Sequence, residues 1–345
     1  MALEPEGTDY REQEDQDPQE AYGAPAYQAM ILFREFPRLD IARLREAINA
    51  LEPAEEACEV SEFSIGTLEP SSKAAEFLPR EYIGRHIGTG VVSWSDLRLA
   101  IVLHEWRAPE ESLQFAAGAG RSLPAVSEAL DGHQAYALVN CLDVRGEFHP
   151  MERMILLIKC AIAMADQGAL AYVNEHNATF FPTELLTQLG EVARSSVAPA
   201  DEDFGADELE AEPDGLATKD EEDEEGERLS LWDSLRKDGL PPELLVSLIP
   251  VEDEYGQLWF VPRGHAQCEL PELAFKADSL ARYEEIDGHF KNIFSYMVQN
   301  GPVLQPGHTL GYDEHALMRF SEIPADREFL GSPYGTLLVT LEPSA

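Results

Sequence analysis

Between residues 201 and 228 the chain carries fifteen acidic residues against only Lys219 and Arg228. A stretch with net charge −13 and little apolar material repels itself and has nothing to contribute to a core. The sequence must therefore fold on either side of it. Residues 196–229 are expected to form a disordered acidic linker, with folded regions at 26–195 and 230–345. The start of the chain has the same character. Residues 1–20 hold eight acids and one base, Arg11, so residues 1–25 are expected to be a disordered acidic tail. The two stretches 1–20 and 201–228 together account for half of the formal net charge of −40.

Outside these stretches the sequence has ordinary core-forming patterns. Ala29–Phe33 is a compact apolar run, followed by Ile41, Leu44, Ile48 and Leu51 at helical spacing behind Asp40, a good N-cap residue. Leu97–Leu103 reads as a buried strand, with a helix starting near Glu110 after Pro109. Ala135–Val139 reads as a third strand, leading through a turn at Gly146 to a long helix at Pro150–Gln167. These three strand–proline–helix units raise the idea of an internal repeat, though their spacing is irregular. Pro150 suits the first helical turn and Gly168 the C′ position. Apolar residues wrap well beyond one face of this helix, so it belongs in a core or between layers. A strand at Ala169–Val173 and a helix from Thr183 to about Ala193 complete the region.

In the second region, Val246–Pro250 and Leu258–Val261 flank Asp253-Glu254-Tyr255-Gly256 in a hairpin-like pattern. An amphipathic helix follows over Leu280–Gln299, closed by Asn300-Gly301. Short strands are expected at Val303–Leu304, Leu317–Phe320 and Leu337–Leu341. Strands and helices alternate imperfectly, so the fold class is α+β, with two mixed-sheet regions flanked by helices.

The charge narrows the functional classes. An acidic surface repels phosphate backbones and anionic headgroups, so neither nucleic acid nor membrane is expected as a partner. A basic protein partner is the expected alternative to acidity that merely serves solubility. The apolar run Met154–Ala165 is broken by Lys159 and is too short to cross a bilayer. The opening MALEPEGTDYREQEDQD has neither the basic nor the apolar section of a signal peptide. Cys58, Cys141, Cys160 and Cys268 show no paired spacing, which fits a reducing cytoplasm.

No motif carries a definite chemistry. Gly84–Gly90 is glycine-rich but precedes the strand-like stretch Val91–Trp94, the wrong context for a phosphate cradle, and reads as a plain loop. His104 and Glu105 are adjacent at a strand end and point to opposite faces, which suits structural or surface roles. His265 and Cys268 have acceptable zinc-ligand spacing without a second pair, and the acidic block Asp220–Glu225 lacks the glycine-centred pattern of a calcium loop. No metal or cofactor is therefore expected. His308, Asp313, Glu314 and His315 form the densest polar cluster. His308, Asp313 and His315 are the candidates for catalysis, but no nucleophile or oxyanion element accompanies them. Cys160 reads as an inert buried thiol, and Cys141, just beyond a strand ending near Asn140, as the more accessible one.

Three segments of the second region, Cys268–Phe275 (CELPELAF), His289–Gly301 and Val303–Phe320, together resemble the C-terminal domain of a bacterial family, domain of unknown function 4261. In that family a Pro-Glu pair precedes a helix and a glycine–threonine turn follows it. The matching positions here are Pro271-Glu272 and Gly307-His308-Thr309-Leu310-Gly311. The H-x-A-Y strand at His133–Tyr136 looks like the part found upstream. The resemblance implies fold context and supplies no catalytic residues. Such families occur near bacterial toxin or secretion genes, which implies an immunity-like or adaptor protein facing a basic partner. A non-enzymatic protein is expected, and the alternative is an enzyme with its site between the two folded regions.

Overall fold

The computed structural model describes residues 27–51, 58–76, 78–93, 97–143, 148–197, 245–311, 316–323, 330 and 332–343. The expected tail, nearly all of the expected linker, the Gly146 turn and the Asp220–Glu225 block lie outside these residues. The described part is α+β, with two sheets and six α-helices. None of its helices is long and apolar enough to cross a membrane.

The first sheet contains β1 (Gln28–Phe33), β2 (Glu59–Val60), β3 (Ser64–Thr67), β4 (His86–Ser93), β5 (Leu97–His104), β6 (Ala135–Asp143), β7 (Ala169–Asn174) and β8 (Thr179–Pro182). Its order is β2-β4-β5-β6-β1-β7-β8, with β3 also on β4, and every pairing is antiparallel. The expectation of a mixed sheet fails here because β1 inserts between β6 and β7. A chain that crosses over from β6 to β7 therefore never pairs them directly.

Alternation along the strands divides the apolar side chains between two faces. Ile31 and Phe33 point to a face covered by α1 (Ile41–Leu51), α4 (Pro150–Ala165) and α5 (Thr183–Val197). Met30 and Leu32 point to the other face, covered by α2 (Glu110–Ala117) and α3 (Pro124–Gly132). Asp40 caps α1 as expected, its carboxylate accepting from Arg43 N at 3.1 Å. The cap of α4 is His149, whose ring accepts from Met151 N while Glu152 accepts from His149 N, closing a capping box. Every residue of α4 from Met154 to Met164 is buried, as a helix held between layers requires.

The second sheet is mixed. It comprises β9 (Ser247–Glu252), β10 (Leu258–Arg263), β11 (Glu272–Ala277), β12 (Thr309–Gly311), β13 (Ala316–Glu322) and β14 (Thr336–Pro343), in the order β12-β13-β14-β11-β10-β9. Only β11 and β14 pair in parallel. α6 (Tyr283–Asn300) packs Ile286, Phe290, Ile293, Phe294 and Met297 against one face. These side chains belong to the same continuous core as α4 and the first sheet.

Four local expectations need correction. Gly84–Gly90 is not a plain loop, because β4 begins at His86. Gly90 serves packing there: a Cβ would sit 2.6 Å from the Phe63 ring. Cys141 lies within β6, not beyond it, and is buried, with its thiol pushed up to about 12 by desolvation. Val303–Leu304 is not a strand, and the strand of that segment is β12. A strand at β11 was not expected at all, since its buried Glu272 and its Lys276 disguise a core strand.

Candidate functional site

The sequence candidates are not assembled into a common site by the described residues. His308 is exposed in the turn before β12, its N–H donating to Gln305 O and its carbonyl accepting from Phe320 N, both at 3.0 Å. Asp313 and His315 lie outside the described residues. His104 is buried between the Trp106 and Tyr136 rings, at 4.6 and 4.5 Å, and desolvation lowers its pKa to about 4. Glu105 turns the other way, accepting from His86 N at 2.7 Å and meeting His86 Nδ1 at 2.8 Å. Among the described residues no group of three or more His, Cys, Asp or Glu side chains is placed to hold a metal ion.

A buried polar seam lies where the two sheets meet, and none of it was singled out as a group from the sequence. The turn between β10 and β11, Gly264 to Pro271, is pressed onto the first region. Tyr27 donates its hydroxyl to Gln267 O at 3.1 Å, and the Arg153 guanidinium lies 4.7 Å from the centre of the Tyr27 ring. Arg153 is itself held by Asp143 at 2.9 Å and by the Phe148 carbonyl at 2.8 Å. Burial raises the Tyr27 hydroxyl pKa, with Arg153 opposing, so the phenol stays a donor.

Inside the same turn His265 donates from Nδ1 to Pro271 O at 2.8 Å and stacks on Phe290 and Phe294. That bond fixes the tautomer and leaves Nε2 buried without a partner. Burial lowers the His265 pKa to about 4, so the ring is neutral. Glu272 accepts weakly from Ala266 N at 3.4 Å, its Oε2 has no partner, and burial raises its pKa to about 8 despite the opposing Arg263 charge. At neutral pH the seam thus holds a neutral imidazole and a protonated carboxyl, groups whose charged forms burial disfavours. One signal for this was present in the sequence: an acidic residue inside the apolar run CELPELAF.

The first region also has an open groove of about 1100 Å³ where β1 ends and α5 begins. Phe36, Leu170 and Ala129 are among its apolar lining, and Arg34, Arg38, Glu35, Glu128 and Glu184 charge its walls. Arg34 meets Glu128 at 3.2 Å, so the two signs partly cancel within it.

No curated protein and no solved structure matches this chain. The matching family model is described as Domain of unknown function (DUF4261) and spans residues 264–333, from the seam turn through α6 and β13. The C-terminal region of the chain therefore carries the pattern of that domain of unknown function.

Proposed function

We propose that this is a non-enzymatic interaction protein, immunity-like or adaptor-like, that engages a basic partner in the cytoplasm. The carrying observation is the fate of the cations. Arg34, Arg153, Arg282, Lys291 and Arg319 each face a carboxylate, at 3.2, 2.9, 2.7, 2.7 and 2.9 Å. With 25 bases against 65 acids, such pairing leaves a large excess of uncompensated carboxylates. A field of that sign attracts and orients a basic protein before contact. All four cysteines are buried and none is in a disulfide, which suits a reducing compartment.

The test is affinity capture with the immobilised full chain, using extract of the cells it comes from and soluble chain as competitor. The expected result is one saturable, competed protein of basic isoelectric point. Recovery of only acidic or uncompeted proteins overturns the reading.

A further inference from the structure

We propose that the open edge of β3 receives an extended segment of a basic protein, which joins the first sheet as an added strand; this rests on the interaction reading above. Among the described residues β3 pairs with β4 alone. Leu68, just past its end, turns both backbone groups inward: its N–H donates to Arg85 O at 2.9 Å and its carbonyl accepts from Gly84 N at 3.0 Å. Successive residues of a strand turn these groups to opposite sides. Thr67 and Ile65 therefore direct theirs away from β4. The far side of β4 agrees, because the carbonyl of His86, opposite Thr67, is taken by Glu105 N at 3.1 Å. All four residues of β3 are exposed, so no described residue covers this row of donors and acceptors.

The other sheet edges are blunted. β9 carries Pro250, and its Leu248 carbonyl accepts from the Tyr283 hydroxyl at 3.2 Å. β8 ends in Pro182, and its residues are buried or half-buried. β12 is three residues long, and β2, on the same side of β4 as β3, is two. β3 has neither proline nor charge in Ser64-Ile65-Gly66-Thr67, and it presents Ile65 with 49% of its surface exposed. A neutral edge with an exposed β-branched residue is a template for an incoming strand.

The backbone restricts the occupant to an extended segment, since a helix has already used its own ladder groups. Charge then selects among extended segments. Glu59, Glu62 and Glu69 are exposed on the run that contains β3, and residues 59–69 include no base. Exposed Arg85, beside Leu68, offsets at most one of these carboxylates. Lysine or arginine at the ends of the added strand meets them, and an apolar residue between covers Ile65. A second copy of the chain brings the same three carboxylates and a further formal charge of −40, which opposes self-pairing.

The experiment titrates the full chain into a fluorescently labelled peptide of alternating valine and threonine with lysines at both ends, read by anisotropy. A second peptide is identical but N-methylated at every valine and threonine amide, so it keeps the charge and cannot form a ladder. A third carries glutamates in place of the lysines. Thr67→Pro removes an outward N–H and no bond to β4, with thermal melting to confirm folding. Affinity is expected to fall at least about tenfold for the methylated peptide, for the glutamate peptide and for Thr67→Pro. Equal affinity for the first two peptides, or for Thr67→Pro and the unsubstituted chain, overturns the edge assignment and leaves the general reading standing. Equal affinity for the lysine and glutamate peptides overturns the basic occupant. Failure of the unsubstituted chain to bind the lysine peptide overturns the edge assignment, whereas the general reading falls only if the extract capture fails. A dimer in sedimentation that Thr67→Pro converts to monomer overturns the basic occupant in favour of a second copy. If Thr67→Pro does not fold, the first two peptides on the unsubstituted chain decide the edge assignment.

Discussion

Asn177 donates its side-chain amide to the Leu245 carbonyl oxygen at 2.9 Å across a separation of 68 residues, and Ser247 returns a hydroxyl to the Asn177 carbonyl. These bonds join the β7–β8 turn to the approach to β9. Asn177 Oδ1 also accepts from Thr179 Oγ1 at 2.7 Å, and the side chain is buried. Asn177→Ala leaves a buried carbonyl and a buried hydroxyl short of partners. A loss of about 1–3 kcal/mol is expected in denaturant unfolding. An unchanged midpoint with an unchanged slope contradicts this role.

Gly264 closes the same junction from the other side. Its φ is +112°, and a Cβ there meets the Leu245 carbonyl oxygen at 2.5 Å and Asn177 Cβ at 2.9 Å. Gly264→Ala thus combines backbone strain with a clash against backbone. It is expected to cost about 2–5 kcal/mol, more than the Asn177 substitution, by the same unfolding measurement. Equal stability of the alanine variant rules out the close approach.

Stability should depend on pH through Glu272. Its folded pKa of about 8 stands above the ordinary 4.5, so the folded state holds a proton that the unfolded state releases. Its contribution is fully present below 4.5 and is lost as pH rises towards 8. Glu272→Gln removes this dependence. Relative to the unsubstituted chain, the glutamine variant should gain up to about 1.4 kcal/mol per pH unit across that window. His104 and His265 act on the acid side: with pKa lowered from 6.5 to about 4, each withdraws stability as pH falls through that range. Parallel pH profiles for Glu272→Gln and the unsubstituted chain contradict the buried carboxyl.

Deleting residues 1–20 and 201–228 removes half of the net charge and little apolar material. The melting transition is expected to stay cooperative, with its midpoint the same or higher because like charges have been removed. A collapse of cooperativity in calorimetry shows that those stretches hold the fold together.

Much of the local structure was legible because its signals are local. Pro150 and Gly168 bracket α4, and the period of Ile41, Leu44 and Ile48 marks α1. The pairing of β1 with both β6 and β7 left no local trace, since antiparallel register is set by contacts between distant segments. β4 was hidden because glycines that make room for Phe63 and Leu103 look like loop glycines. The seam was hidden for a related reason. Tyr27 reaches Gln267, and Arg153 reaches the Tyr27 ring, only in the fold, and Glu272 looks like a surface residue until burial neutralises it. The Tyr255 turn was visible as a hairpin, but its three-bond hold by Asp253 was not.

Recognition of a basic partner by this acidic surface is tested most directly by the association constant of the full chain with the protein it captures, measured across ionic strength. Screening of exposed charges should lower that constant steeply and continuously as salt rises. An association of the same strength at low and high salt contradicts electrostatic capture.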